Sequence, residues 1–143
     1  MKIVDLDKNA VESIVNLYAE DFSDGWNKEM LLSSFATGRF FCVGAYDGDR
    51  LIGVIAVTLS MDFADIESVV TKAEFRRKGV ADELMAYAFK KVKETGVNKI
   101  LLEVRAGNLP AIALYKKHGF DKISERKGYY ADGENAIILQ KEL

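Results

Sequence analysis

Phe75-Arg76-Arg77-Lys78-Gly79-Val80-Ala81 decides how the rest of the chain is read. The stretch follows the β-branched run Asp65–Thr71, which reads as a strand. It opens a segment in which Ala81, Leu84, Met85, Ala88, Phe89 and Val92 share one helical face. Three cations and a glycine therefore fall at a helix N-terminus, where the first N–H groups have no internal partners. Cations there oppose the helix dipole by roughly a few tenths of a kcal/mol each. Such a local cost marks a functional position. A pyrophosphate needs converging backbone N–H groups and a glycine where the backbone comes close, and this stretch supplies both. A solvated basic turn, paired with Asp82 and Glu83, is the other reading of the same residues.

The flanking patterns extend outward from this point. Lys2–Leu6 alternates as a strand, and Val11, Ile14, Val15, Tyr18 and Phe22 recur at helical spacing. Asn27 caps a second helix that ends near Phe35. Arg39–Tyr46 and Leu51–Leu59 are strands joined by the turn Asp47-Gly48-Asp49. Beyond Gly96, which stops the third helix, Lys99–Val104 is a strand. Asn108 caps a helix from Leu109 to His118 that tolerates Pro110 in its first turn. Phe120–Lys127 and Ala136–Leu139 are the last strands. This order predicts one α/β (α+β) domain over residues 1–143, with a mixed, largely antiparallel sheet flanked by helices.

Composition narrows the function classes. The 143 residues are 49% hydrophobic and 29% charged, with one proline, as expected of a packed globular chain. A net charge of −2 gives no reason to expect direct nucleic-acid binding. The single Cys42 leaves no internal disulfide and fits a reducing compartment. No long uncharged apolar run suggests a leader or a membrane span, so a cytoplasmic enzyme is expected. No ligand spacing suggests a metal. Oligomeric state is not readable.

Two residue types with proton-transfer chemistry stand after the third helix. Glu103 lies among Leu101, Leu102 and Val104, surroundings that partly desolvate a carboxylate and raise its pKa toward that of a general base. It reads equally as a strand-end acid paired with Arg105 or a lysine. Glu67, on the preceding strand, is either a second base or a surface acid. Tyr115, beside Ile112, Leu114 and Ala111, reads from its spacing as core. His118, in a last helical turn, and Cys42, in Phe40-Phe41-Cys42-Val43, read as structural.

The run Arg76-Arg77-Lys78-Gly79-Val80-Ala81 resembles the (Q/R)-x-x-G-x-(G/A) acetyl-CoA loop of the GNAT acetyltransferase superfamily. Leu102-Glu103-Val104-Arg105-Ala106-Gly107-Asn108, Ala111-Ile112-Ala113-Leu114-Tyr115 and Gly119-Phe120 resemble its ribosomal-protein-alanine acetyltransferase (RimI-like) branch. Arg126, Tyr129-Tyr130, Asp132-Gly133 and Ala136-Ile137 extend the likeness, and Trp26 matches a tryptophan after the first helix. Ala81 stands where the loop pattern often ends in glycine, and Gly25 where a proline usually precedes the tryptophan. The resemblance implies a sheet splayed between its fourth and fifth strands, Asp65–Thr71 and Lys99–Val104. It implies acetyl-CoA along Val69, Val70 and Thr71, with an oxyanion donor near Val70, and against Arg76–Ala81 and Asn108. It further implies Glu103 as base and Tyr115 as the acid that protonates the departing thiolate.

The acceptor implied by the branch is the N-terminal alanine of a ribosomal protein. An α-amine, with pKa about 7.7–8.0 against about 10.4 for lysine, is far easier to deprotonate with carboxylates. Trp26, Glu67, Tyr129 and Tyr130 are the expected acceptor-side residues, and Asp21, Asp24 and Glu29 would draw a basic tail. The same residues also read as an ordinary aromatic rim and solvated helix-end charges. A small-amine or lysine acetyltransferase and a silent acyl-CoA-binding module are the competing functions.

Overall fold

The computed structural model describes residues 1–22 and 24–143, with the Asp21 side chain outside that description. The expected strands and helices form in the expected order. They are β1 (Lys2–Leu6), α1 (Val11–Asp21), α2 (Lys28–Ala36), β2 (Phe40–Asp47), β3 (Arg50–Leu59) and β4 (Ala64–Thr71). α3 (Val80–Glu94), β5 (Lys99–Arg105), α4 (Leu109–Lys117), β6 (Asp121–Arg126) and β7 (Ala136–Glu142) follow. The strands make one sheet in the order β1-β2-β3-β4-β5-β7-β6. Every neighbouring pair is antiparallel except β4 and β5. β7 runs past Leu139 to Glu142 because Gln140, Lys141 and Glu142 stay in register with Leu101, Ile100 and Lys99. Their polar side chains hid that extension. Short 3-10 turns at Lys8–Ala10 and Ala73–Phe75 were not expected.

Side-chain alternation gives the sheet two covered faces. Val80, Leu84, Met85, Ala88 and Val92 of α3 and Tyr115 of α4 pack on Val43, Ile55, Val57, Ile100, Leu102 and Val104. Val11, Ile14, Leu17, Tyr18 and Leu31 of α1 and α2 pack on Phe40, Cys42, Val54, Ala56 and Val70. Burying a leucine or isoleucine contributes about 1.5–3 kcal/mol, so these two layers dominate the fold's stability. α3 reaches the sheet closely because Gly53 has no side chain: a Cβ there would stand 2.8 Å from Val80 and 3.2 Å from Leu84.

Strand β4 changes faces partway along. Ala64 and Ile66 belong to the α3 layer, whereas Val70 belongs to the α1 layer. A bulge causes the change, since Ala56 opposes Ser68 and Val57 opposes Ile66, leaving Glu67 without a β3 partner. Ser68 then buries its hydroxyl 2.6 Å from that of Tyr18.

The parallel pairing of β4 with β5 covers only Ala64–Ile66 against Ile100–Leu102. Past that point the two strands separate. The splay lies where expected, between the fourth and fifth strands.

Candidate active site

A cleft of about 1010 Å³ runs through this opening. Its walls include Trp26, Glu67, Val69–Thr71, Arg76, Arg77, Gly79–Ala81, Glu103, Asn108, Tyr115, Tyr129 and Tyr130. Of the residues singled out from the sequence, Lys78 does not line it, and its ammonium lies over the Phe75 ring, 5.4 Å from the centroid.

The loop before α3 is built for close approach. Gly79 is the N-cap at φ +84°, and no side chain caps the helix there. No other group comes within 4 Å of where its Cβ would be. Arg77 is the one non-glycine residue at positive φ among those described, at +62°. The first N–H groups of α3 are therefore open to the cleft beside a glycine. Asp82, one turn on, binds His118 Nε2 at 2.6 Å and Lys117 Nζ at 3.0 Å on α4. The His118 hydrogen bond, then Lys117, hold its carboxyl below the usual range. His118 thereby ties the end of α4 to the start of α3.

Backbone donors come from β4. Lys72 N–H donates to the Ile52 carbonyl at 2.8 Å, which makes that pair hydrogen-bonded. By antiparallel alternation Val70, opposite Val54, also turns its backbone groups to β3. Val69 and Thr71 turn theirs into the opening, so the donor expected near Val70 falls on its neighbours. The Thr71 carbonyl accepts from Arg76 Nε at 3.1 Å, which fixes the basic loop to the strand. Asn108 accepts the Ala111 N–H at 3.3 Å as a cap, leaving its amide N–H groups available.

Acids gather on one side of the sheet and the phenol of Tyr115 on the other. Ile100, Leu102 and Val104 face α3, so Glu103 and Arg105 face the opposite way. Glu67 opens onto the cleft, where its carboxylate accepts from the Thr58 hydroxyl at 3.1 Å. Surrounding protein pushes its pKa up, and the Asp65 and Glu103 carboxylates add to that shift. Asp65 is raised by burial and by Glu103. Glu103 is not paired with Arg105; it faces the Tyr129 hydroxyl, whose pKa it raises. Tyr115 is buried, edge-on to Phe120 at 5.8 Å, and burial pushes its phenol up to about 12. That widens the step to a thiolate of pKa near 8.5 beyond what an ordinary phenol would give. The same low dielectric raises the proton affinity of a thiolate in the cleft, which narrows the gap again.

The mouth on the acid side has two aromatic walls. Trp26 stacks on Phe40 at 5.6 Å, and Tyr129 meets Tyr130 edge-on at 5.1 Å. Arg105 joins them. Its Nε and Nη2 donate to both Asp24 oxygens at 2.9 Å, and Nη1 donates to Asp132 at 2.8 Å and Glu134 at 3.0 Å. Its guanidinium also lies 4.1 Å from the centre of the Tyr130 ring. Sequence reasoning missed this hub. The available signal was that Arg105, two residues after Glu103, must share its face. Asp24, expected to attract a basic substrate, is instead held by Arg105, which lowers its pKa. Glu29 is exposed in the first turn of α2 and does not line the cleft, and Asp21's side chain lies outside the described residues.

Gly25, where proline was noted as usual, is explained by packing. A Cβ there would stand 2.6 Å from the Tyr18 ring. Among the described residues no His, Cys, Asp or Glu group is arranged to hold a metal, and no helix is long and apolar enough to cross a membrane.

A sheet split at a parallel pair, with an uncapped helix N-terminus beside the split, is an architecture for acyl transfer from a phosphate-bearing thioester. The chain belongs to the GNAT acetyltransferase family, whose model matches residues 11–120. It is 36% identical over 119 residues to an N-alpha-acetyltransferase of Saccharolobus solfataricus, covering 74% of this chain and 71% of the relative. It is 31% identical over 132 residues to a candidate ribosomal protein bS18-alanine N-acetyltransferase of Bacillus subtilis, covering 90% and 87%. Its fold matches the ribosomal-protein-S18-alanine N-acetyltransferase of Escherichia coli with a TM-score of 0.91 at 24% identity, covering 99% and 92%. The protein is thus an acetyl-CoA-dependent N-acetyltransferase. The open space at Gly79 beside unpartnered N–H groups fits the pyrophosphate of that cofactor.

Proposed function

We propose that this chain acetylates the α-amine of an N-terminal alanine on a ribosomal protein, in the cytoplasm. The observation that carries the reading is the division of the cleft: carboxylates on one face of the split sheet, Tyr115 and the uncapped helix on the other. An amine and a thioester entering from opposite faces meet in the opening.

Acetyl-CoA supplies an acyl carbon on sulfur, so the transfer forms an N–C bond, breaks a C–S bond and releases a thiolate. Gly79, Val80 and Ala81 offer N–H groups to its phosphates, with Arg76 and Arg77 adding charge. Val69 and Thr71 offer backbone donors along the opening, where an oxyanion gains from fixed dipoles. Glu103 takes the amine proton, and Glu67, with its raised pKa, passes it on or shares it. Tyr115 keeps its proton across the working pH range and gives it to the sulfur. The branch names of the relatives and the weak carboxylate bases both favour an α-amine over lysine.

Mass spectrometry after incubation with acetyl-CoA tests the acceptor, using peptides that begin with alanine, serine, methionine or a blocked residue. Acetyl on the alanine α-amine is expected. Acetyl only on lysine side chains or only on polyamines overturns the acceptor assignment. Glu103→Gln should lower the rate roughly 10²-fold near neutral pH with CoA affinity preserved. Full activity in Glu103→Gln with collapse in Glu67→Gln transfers the base role to β4.

A further inference from the structure

We propose that Arg105 is a positioning residue for the acceptor: one guanidinium latches the two walls of the acid-side mouth and so sets the groove that the amine-bearing chain must enter. The proposal rests on the acceptor entering by that face.

The geometry is that of a clamp rather than of a surface ion pair. Asp24 stands two residues before Trp26, on the segment between α1 and α2. Asp132 and Glu134 belong to the β6–β7 loop that carries Tyr129 and Tyr130. Arg105 bonds to both segments from β5, across the cleft mouth. The second oxygen of Glu134 accepts the Gly107 N–H at 2.8 Å, and Tyr130 N–H donates to the Glu134 carbonyl at 3.2 Å. The latch therefore fixes the backbone that presents Tyr130, and with it Tyr129 beside Glu103.

Only a guanidinium serves here. Its planar fork makes the bidentate pair with Asp24, reaches two further carboxylates and stacks on a ring at once. A lysine ammonium keeps the charge but cannot hold that fork. Three carboxylates on one cation leave two negative charges in excess, so loss of the fork lets the loops repel.

Arg105→Lys and Asp24→Asn test the latch on the full chain. Hydrogen exchange should quicken in both residues 24–27 and 127–135 of Arg105→Lys, with α3 unchanged. The KM for an alanine-starting peptide should rise about tenfold, while the KM for acetyl-CoA moves far less. Asp24→Asn should reproduce the acceptor effect and add nothing in the Arg105→Lys background. Exchange that quickens in neither loop or in one alone, an unchanged acceptor KM, equal losses for both substrates, or additive effects would each overturn the proposal. If the wild-type protein leaves the peptide unmodified, the acceptor assignment fails by itself, and the exchange comparison still decides whether the latch exists.

Discussion

Gly79→Ala separates the two roles of one glycine. At φ +84° a β-carbon costs about 1–2 kcal/mol. Nothing lies within 4 Å of that β-carbon, so no clash adds to this conformational cost. Gly96, just beyond the other end of the 15-residue α3, has φ +88° and the same empty surroundings. Gly96→Ala should therefore destabilise by the same amount, a drop in Tm of about 3–6 °C for each variant. Binding should distinguish them, because the two glycines stand more than ~20 Å apart along the helix. If the loop holds the phosphates as proposed, a methyl at position 79 intrudes on their approach to the open N–H groups. Losing one charge-assisted hydrogen bond costs about 1.5–3 kcal/mol, roughly 10- to 150-fold in Kd. Calorimetry with coenzyme A on folded Gly79→Ala, Gly79→Val and Gly96→Ala reads this directly. Gly79→Val should bind most weakly, while Lys78→Ala, whose ammonium lies over Phe75, should lose little. Wild-type affinity in Gly79→Val, or equal weakening in Gly96→Ala, refutes the assignment of the loop.

Two further outcomes follow from the pKa directions. Glu67 has a raised pKa in the folded chain, so its ionisation works against folding as pH climbs from the ordinary carboxylate range through the raised value. Glu67→Gln should therefore gain stability over wild type at neutral pH and lose that advantage below about pH 4, as urea midpoints across pH will show; a constant difference contradicts it. Tyr115→Phe should slow the chemical step in single-turnover measurements while Tm changes little, since Phe120 keeps its ring contact; an unchanged rate returns Tyr115 to a packing role.

The order of elements was legible because each carries its own period and punctuation. Asn27 and Asn108 cap the helices they were expected to cap, accepting from Met30 and Ala111. Gly79 and Gly96 bracket α3 as their positions implied. The neighbours of each strand were less legible, because a β-branched run states its burial and not its partner; the splay was available only through resemblance. The bulge at Glu67 was hidden for a related reason, since the polar pair Glu67-Ser68 followed by Val69-Val70 breaks the alternation without saying which residue is extra until β3 is laid beside it. Among the cleft residues, the open helix N-terminus at Gly79 followed from glycine and helix-end signals, whereas the Val69–Thr71 edge of the opening came only through the resemblance. The Arg105 latch followed from neither, because its partners stand 81, 27 and 29 residues away. Polar side chains that pair over such separations carry no local pattern.

The extra residue in β4 makes that strand a counter with one skipped beat. Before Glu67, odd and even positions address one set of neighbours; after it, the assignments exchange. Deleting Glu67 would restore an unbroken count with Ile66 still opposite Val57 and Ser68 still opposite Ala56, so neither flank would turn. Val69 and Thr71 would keep their N–H groups in the opening, opposite the same β3 residues, and only the Glu67 carboxylate and the local twist of the bulge would go. Deletion of Glu67 should thus cost the cleft a carboxylate and leave its backbone donors, so coenzyme A affinity read by calorimetry should change little while the rate of transfer falls.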